Sequence, residues 1–413
     1  MPWILAAVLA GVFGYAFAWR ARSRSLGTAL VALTSLLAIV PLLKLVALRL
    51  RTFNEWDFMG FWLVGHAALQ RQNFYDPSVL RAWAAPFAVS AGFRREIIDV
   101  GFWYPPATAL LFAPLGLTGL HPALTAWYAV LVIAAGADIY LAWRLFLRAE
   151  GALGLVAVAA LLFALPGISE ALNYAQTSFI ALFCLLLFWP KWRARGGSAW
   201  LALALFIKPF LAVALVYQLL RRYWNAAVGT LVAVALLSLA ALLLFGPQTT
   251  FAFLGQRHAT PPSIVYSEPT NQSLSALWLR HTAAGTAHVL ALISSMTIFL
   301  LSIVVTVNVP AERDEIGLAL WLPAILLMYP VTQIFYGAML LVPLLVLWKY
   351  RVNMPFGAAG VAAVYALNAL CSQQSDGLIA AAFLDWLLLV AVCGGLARSA
   401  RSGERALPAT NGA

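Results

Sequence analysis

The feature that most constrains this chain is the repeated alternation of long apolar stretches with short clusters of basic residues. Hydrophobic residues fill 63% of the 413 positions and charged residues only 10%, against roughly 25% charged residues in an ordinary soluble domain. So few charges cannot cover the surface of a water-soluble protein of this size. The composition excludes soluble enzymes, fibres and disordered chains, and it predicts an all-α integral membrane protein with many membrane segments.

The net charge of +11 would suggest a nucleic-acid partner in a soluble protein. Much of this charge lies in short loops between apolar segments, for example at 191–195 and 221–222. Such loops are held on the cytoplasmic side of a membrane. We therefore interpret the charge as a topology signal and expect no nucleic-acid partner.

A single transmembrane domain is predicted over residues 1–400, with about eleven to thirteen membrane segments. Residues 1–24 are predicted to form an additional N-terminal helix with a basic turn, and residues 401–413 a disordered tail. The segment 105–120 is short and proline-led, and is predicted to be interfacial or re-entrant. Spans are predicted near 26–48, 122–143, 153–166, 178–189, 225–245, 288–307, 316–330, 335–349, 355–371 and 378–396.

Two long segments, 49–104 and 246–285, fall on the outer face in this topology. The first is too long for a simple connector and is predicted to contain interfacial helices, and loops of this size are usually functional. It begins with two acids, Glu55 and Asp57, among aromatic residues. A carboxylate beside apolar groups can act as a general base, because desolvation raises its pKa. The alternative is a solvated acid at the membrane interface.

Lys208 lies within an apolar region that has basic clusters at both ends. The following residue, Pro209, breaks the helical hydrogen-bond ladder, so two half-helices that enter and leave on the same side are predicted. A lysine at membrane depth is costly and marks a functional candidate, unless its ammonium extends to an interface. Asp138 and Asp385 also lie in predicted spans, where each could instead satisfy a neighbouring helix.

Further polar residues on the outer side could bind a sugar or a phosphate. They are Asn173 with Gln176, Arg257 with His258, and Asn271 with Gln272 and Ser273. Helix capping explains the first of these groups equally well, and the alternative for the other two is that they are solvated loop residues.

The motifs of the chain, taken in order, are Asp57, Asn73-Phe74-Tyr75-Asp76, Tyr104-Pro105-Pro106, Asn173-Tyr174-Ala175-Gln176, Ile207-Lys208-Pro209 and Asn271-Gln272-Ser273. This order resembles glycosyltransferase family 87 over roughly residues 26–350. The resemblance implies the GT-C fold. The family includes polyprenyl-phosphate-mannose-dependent α-1,2-mannosyltransferases. Family members often carry Trp and His after a proline in a late outer turn, whereas this chain reads Tyr329-Pro330-Val331-Thr332-Gln333-Ile334-Phe335-Tyr336. Gln333 and Tyr336 are candidates to replace that histidine.

The resemblance implies a multi-pass enzyme of a bacterial-type inner membrane, with its active site facing outward. It would transfer one sugar, mannose, from a polyprenyl phosphate to a hydroxyl of a lipid or glycan acceptor with inversion. Asp57 matches the catalytic acid of the family. Candidate donor contacts are Lys208, Arg257, His258, Tyr104, Gln176 and Asn173, and candidate acceptor or loop contacts are Glu55, Asn271, Gln272, Gln333 and Tyr336.

No cofactor or metal is expected, because Cys184, Cys371 and Cys393 and the five histidines match no metal-ligand spacing. Membrane lipids are the remaining expected partners. The alternative function is a transporter or lipid flippase that uses Asp138, Lys208 and Asp385. The large outer loop so early in the chain and the lack of a clear inverted repeat argue against that alternative.

Overall fold

The computed structural model describes residues 47, 56–87, 102–256, 268–351, 357–371 and 375–402. Within these ranges the protein is helical, with one isolated β-bridge between Asn271 and Gln333. The α-helices are α1 (Trp56–Leu69), α2 (Pro77–Ala84), α3 (Ala109–Phe112), α4 (Leu120–Ala142), α5 (Gly151–Ala164), α6 (Ile168–Asn173), α7 (Ser178–Phe188), α8 (Ser198–Ile207), α9 (Val213–Leu220), α10 (Trp224–Gln256), α11 (Leu274–His281), α12 (Ala284–Asn308), α13 (Asp314–Met328), α14 (Leu341–Lys349), α15 (Ala358–Cys371) and α16 (Gly377–Ser402). The predicted all-α class is confirmed.

Four of the described helical segments are long and apolar enough to cross a membrane. They are Leu120–Glu150, Trp224–Gly255, Ala284–Asn308 and Gly377–Arg398. Large apolar side chains face outward on two of them, such as Leu236 and Leu243 on α10 and Leu292 on α12, which are 61%, 74% and 66% exposed. Contiguous apolar surface of this kind suits contact with lipid. The number of membrane segments, eleven to thirteen, stays a prediction.

The predicted second outer loop is largely helical where the structure describes it. Helix α10 extends to Gln256 instead of ending at Phe245, with a break at Gly246, whose φ is 80°. The next residue is Pro247, which cannot continue the helical hydrogen-bond ladder. A glycine with positive φ followed by proline therefore ends the apolar span and starts a second helical piece, which hydropathy alone does not show.

The first outer loop contains helices, as predicted. Helices α1 and α2 lie there, and Asp76 caps α2 by accepting a hydrogen bond from the Ser78 amide at 2.8 Å. The segment after it is divided into the 3-10 turn Pro106–Thr108, α3 and the 3-10 turn Ala113–Leu117. These pieces are too short to cross a bilayer. The Phe61 ring of α1 stacks on Phe112 at 4.3 Å, which fixes the two segments together.

Helices α8 and α9 form the predicted pair of half-helices. Lys208, between them, has an extended backbone (φ −140°, ψ 91°), as expected before a proline. The Gln218 amide near the end of α9 donates to the Trp192 carbonyl at 2.8 Å, just before α8 begins. Both basic clusters therefore lie at one end of the molecule, which we call the Arg221 end, and Lys208 lies at the other, the Lys208 end.

Several predicted features lie outside the described residues. They are the N-terminal helix, nearly all of the span at 26–48, the C-terminal tail from residue 403, and the candidate residues Glu55, Arg257 and His258.

Candidate active site

Asp57 lies in the first turn of α1 at the Lys208 end. The residue is partly exposed, and the next residue, Phe58, is fully buried. Asp57 therefore stands at the boundary between the apolar core and the space outside it. A carboxylate in this position is partly desolvated and still accessible.

Gln176 is presented by a tight turn after α6. The Gln176 amide donates to the Ala171 carbonyl at 2.8 Å, and the Ala175 amide donates to the Leu172 carbonyl at 3.1 Å. These two bonds form a Schellman motif, which places Ala175 in the left-handed region with φ 50°. An alanine there costs energy that a glycine would not. The turn persists because tertiary contacts hold it.

Two aromatic side chains of α4 supply those contacts. The Trp127 indole donates to the Ala175 carbonyl at 2.7 Å, and the Tyr128 hydroxyl donates to the Leu172 carbonyl at 2.9 Å. Both side chains are buried. They satisfy carbonyls at the end of α6 and fix the position of Gln176.

Lys208 is almost fully buried, with 1% of its surface exposed. Its ammonium donates to the Tyr104 hydroxyl at 3.3 Å and to Gln176 Oε1 at 3.2 Å. It also faces the rings of Tyr336, Phe335 and Tyr104, with centroids at 4.3, 5.2 and 5.5 Å. Aromatic faces stabilise a desolvated cation. The ammonium is therefore enclosed by protein groups and does not reach the protein surface.

Two of these three rings, those of Phe335 and Tyr336, come from the 3-10 turn Ile334–Leu340. A close backbone approach holds this turn against the start of α6, because a Cβ at Gly337 would lie 1.7 Å from the Pro166 carbonyl oxygen. A Cβ at Gly167 would lie 1.8 Å from the Ile334 carbonyl oxygen. Only glycine fits at either position. The Ser178 hydroxyl adds a hydrogen bond to the Phe335 carbonyl at 2.6 Å.

The Gln176 side chain forms hydrogen bonds with both Asp57 and Lys208. Its amide nitrogen donates to Asp57 Oδ2, and its oxygen accepts from Lys208. The carboxylate accepts only and the ammonium donates only, so the two partners dictate the orientation of the amide. Asp57 and Lys208 are thus connected by hydrogen bonds through a neutral carboxamide.

The surroundings of Asp57 raise its pKa from the usual 3.8 to about 6. Burial is the main cause, and the negative charge of Glu268 raises the pKa further. The Gln176 hydrogen bond and the positive charge of Lys208 lower the pKa and only partly offset burial. The carboxyl group is therefore largely ionised at neutral pH, yet basic enough to accept a proton. Burial and the charge of Asp57 also raise the pKa of Tyr104, which stays protonated.

Glu268 and Phe335 belong to this neighbourhood and were not identified from the sequence. Glu268 precedes the Asn271-Gln272-Ser273 motif by three residues, which was the only available signal. Its carboxylate accepts a hydrogen bond from the Thr270 hydroxyl at 3.1 Å. Phe335 looks like an ordinary core residue in the sequence, and only the fold brings its ring over Lys208.

Asn271, Gln272 and Gln333 serve the fold in this structure. The Asn271 amide donates to the Pro330 carbonyl at 3.1 Å, and the Gln272 side chain donates to the carbonyls of Pro269 and Ser375 at 2.7 and 2.6 Å. Asn271 and Gln272 are fully buried. The Asn271 amide joins the segment before α11 to the turn after α13, and the Gln272 amide joins it to the segment before α16. Gln333 is the bridge partner of Asn271.

Among the described residues, the side chains of Asn173, Asp138 and Asp385 form no hydrogen bond with Asp57, Gln176 or Lys208. Asn173 is the last residue of α6, and its side-chain oxygen has no hydrogen-bond partner among the described residues. Asp385 accepts from the Asn368 amide at 2.9 Å. Asp138 lies on α4 eleven residues beyond Trp127, or about 16 Å along the helix. The described side chains of His, Cys, Asp and Glu form no group of three that could hold a metal.

The sequence model of Glycosyltransferase family 87 matches residues 102–331, which is more than half of the chain. The chain belongs to this family. The matched residues include Tyr104, Gln176 and Lys208, whereas Asp57 lies before the match. The family resemblance inferred from the motifs is therefore confirmed.

Two curated relatives are named alpha-(1->3)-arabinofuranosyltransferase, from Mycobacterium tuberculosis strains CDC 1551 / Oshkosh and ATCC 25618 / H37Rv. Each is 26% identical over 163 residues, which cover 38% of this chain and 37% of the relative. The chain thus matches little more than a third of their length. No solved structure matches the chain significantly. The family match and the named relatives support a membrane glycosyltransferase, in line with the apolar helices, and do not favour the transporter alternative.

Proposed function

We propose that this glycosyltransferase moves one sugar from a polyprenyl phosphate to a hydroxyl of an extracytoplasmic lipid or glycan, with inversion. The observation that carries this proposal is the arrangement of Asp57 and Lys208, which Gln176 links without a direct ion pair. A direct pair would hold Asp57 as a low-pKa carboxylate. Because the Gln176 carboxamide lies between them, the Asp57 carboxylate can accept a proton and the Lys208 ammonium can face a phosphate.

In the proposed reaction the Asp57 carboxylate takes the proton of the acceptor hydroxyl. The hydroxyl oxygen forms a bond to the anomeric carbon as the bond from that carbon to the phosphate oxygen breaks. The leaving polyprenyl phosphate keeps the electron pair. Attack opposite the leaving group inverts the configuration, and no cofactor takes part in these steps.

Lys208 is proposed to face the donor phosphate. Its ammonium has three N–H donors, and the described contacts use two of them, on Tyr104 and Gln176. The third can donate to a phosphate oxygen and stabilise the charge that develops as the donor leaves. Lys208→Met should therefore weaken donor binding. Unchanged donor affinity would make Lys208 structural and would move the phosphate site to Arg257 and His258.

The donor sugar has two candidates. Mannose is implied by the family resemblance, and an arabinofuranosyl group is suggested by the name of the M. tuberculosis relatives. The purified protein should be incubated with radiolabelled polyprenyl-phosphate mannose and polyprenyl-phosphate arabinofuranose, together with membrane lipid extracts. A labelled product from one donor supports transfer and identifies the sugar. Movement of the intact lipid between vesicles without bond cleavage would support the transporter alternative.

The proposed location is an inner membrane, with the Lys208 end facing outward. Arg81 on α2 and Arg148 after α4 are both exposed and mark the two ends. In a background without Cys184, Cys371 and Cys393, Arg81→Cys should react with an impermeant thiol reagent on intact cells. Arg148→Cys should react only after lysis. The reverse pattern would invert the topology.

A further inference from the structure

A cavity of about 600 Å³ opens at the Arg221 end. It lies between the turn after α7, the turn before α13 and the end of α14. Helix α13 runs from this cavity toward the Lys208 end, and its fifteen residues span about 22 Å. The cavity is therefore separate from the candidate active site. Its volume is within the usual range for sites that bind small molecules.

The lining of the cavity is positively charged. Four basic and two acidic side chains line it, which leaves an excess of two positive charges. One of the acids, Glu315, forms an ion pair with Lys349 and accepts a hydrogen bond from the Trp189 indole at 2.9 Å. The basic side chains are Lys191, Arg193, Arg313 and Lys349.

Aromatic residues alternate with these charges. The Arg193 guanidinium lies 4.7 Å from the centroid of the Trp192 ring, and the Arg313 guanidinium lies 5.7 Å from that of Tyr350. Arginine stacked on aromatic rings is a common arrangement at phosphate sites, and the Arg193 guanidinium also donates to the Ala311 carbonyl at 2.7 Å. Trp and Tyr concentrate at the headgroup level of membranes, and basic pockets between membrane helices bind anionic headgroups.

We propose that this cavity binds a phosphate-bearing anion, and that the phosphate belongs to the headgroup of an anionic phospholipid. Arginine and lysine side chains recognise phosphate through charge-assisted hydrogen bonds. A phosphodiester headgroup with one negative charge fits the positive excess of the lining. The aromatic lining favours a lipid over a soluble phosphate, because it is typical of headgroup depth.

Lipid binding can be tested with dioleoyl phosphatidylglycerol and dioleoyl phosphatidylcholine, which share their acyl chains and differ in net charge. The full-length protein in detergent is titrated with each lipid, and bound lipids are counted by native mass spectrometry. We expect one phosphatidylglycerol molecule to bind at least about tenfold more tightly than phosphatidylcholine. Lys191→Gln/Arg313→Gln should abolish this preference.

The matched control is Arg144→Gln/Arg148→Gln. These arginines are exposed at the same end but do not line the cavity. The control variant also loses two positive charges. Its preference for phosphatidylglycerol should stay within about twofold of wild type. An equal loss in both double variants, or no preference in the wild type, would overturn the proposal.

Two further measurements keep the result interpretable. Lys191 is exposed, so Lys191→Gln alone should fold normally and weaken phosphatidylglycerol binding about threefold. Unchanged binding in this variant would count against the cavity. Glycerol 3-phosphate is added as a competitor. If it binds as tightly as the lipid and depends equally on Lys191, the ligand is a soluble phosphate ester and the lipid assignment is wrong.

Discussion

Asp57 and Asp314 both lie in the first turn of a helix, at opposite ends of the molecule, but their partners differ. The Asp314 side chain is fully buried, is ion-paired with Arg221 and accepts a hydrogen bond from the Tyr223 hydroxyl. Asp57 accepts a hydrogen bond from the neutral amide of Gln176. The ion pair makes Asp314 part of the structure. Burial raises the pKa of Asp57 to about 6, and the hydrogen bond from Gln176 only partly offsets this effect, so the carboxylate can accept a proton.

The largest expected effect is on catalysis. Asp57→Asn keeps the shape of the side chain and removes the proton acceptor, so turnover should fall about 10²–10⁴-fold, the usual range for loss of a general base. Donor binding should survive. The carboxyl pKa is higher in the folded protein than in the unfolded chain, so ionised Asp57 destabilises the fold at neutral pH. The variant should therefore unfold at an equal or higher temperature than wild type.

The matched variant for this measurement is Glu55→Gln, which changes the neighbouring acid of the same motif. It should keep most of the turnover. If Glu55→Gln loses turnover and Asp57→Asn keeps it, the base is Glu55. If both variants stay active, the proposed mechanism is wrong.

At the opposite end, the expected effect is on stability. Arg221→Met leaves Asp314 buried without its main counter-charge, because the Arg193 guanidinium is 3.9 Å away and its side chain is 46% exposed. Breaking a buried ion pair from one side costs about 3–5 kcal/mol. Thermal unfolding in detergent should show this loss, whereas turnover of the folded fraction should change little.

Arg221→Met/Asp314→Asn is the control, since it removes both charges. It should recover part of the lost stability, because no uncompensated charge remains. A double variant less stable than Arg221→Met would show that the two side chains do not act as a pair.

The third prediction concerns the pH dependence of turnover. The base must be ionised, so kcat/KM should fall about tenfold per pH unit below a pKa of about 6 and level off above it.

Charged groups that set this pKa are Lys208, which lowers it, and Glu268, which raises it. Glu268→Gln removes the repulsion, so the acidic limb should move to lower pH. Gln176→Leu removes a stabilising hydrogen bond, so the limb should move to higher pH. Shifts in the same direction in both variants would contradict these assignments.

The smallest expected effect is at the turn that carries Gln176. Trp127→Phe leaves the Ala175 carbonyl without its indole donor, which costs about 1–3 kcal/mol for a buried group. Thermal unfolding should show this loss, with a less than about tenfold fall in turnover. Tyr128→Phe removes the neighbouring bond to the Leu172 carbonyl and is the comparison variant. Turnover unaffected by either change would show that the turn does not position Gln176.

Much of the fold could be predicted because its determinants are local. The apolar segments at 122–143, 178–189 and 316–330 agree with α4, α7 and α13 to within two residues at each end, since hydropathy reports these helices directly. The break at Lys208 was predictable because proline restricts the residue before it. The extension of α10 beyond Gly246 was not predictable, because helix resumes there in a less apolar sequence.

The site could be predicted only in part, because its contacts are long-range. Asp57 and Gln176 are 119 positions apart, and no local pattern pairs them. Asn271 and Gln272 were predicted to be acceptor or loop contacts, because buried amides that bind backbone carbonyls resemble ligand-binding amides in a sequence. Glu268 was missed because a single acid in a polar segment carries no distinguishing signal.

The α8–α9 hairpin has a consequence for how the protein is inserted into its membrane. A lysine costs about 2.5–3.5 kcal/mol when a helix centre enters hydrocarbon, and the contacts that stabilise Lys208 come from segments on both sides of it in sequence. The ribosome synthesises Tyr104 and Gln176 before the hairpin, and it synthesises Phe335 and Tyr336 long after the hairpin. We therefore expect the hairpin to enter during synthesis with its ammonium only half surrounded. We expect its final position to be set late, when the segment that contains Tyr336 packs against Lys208.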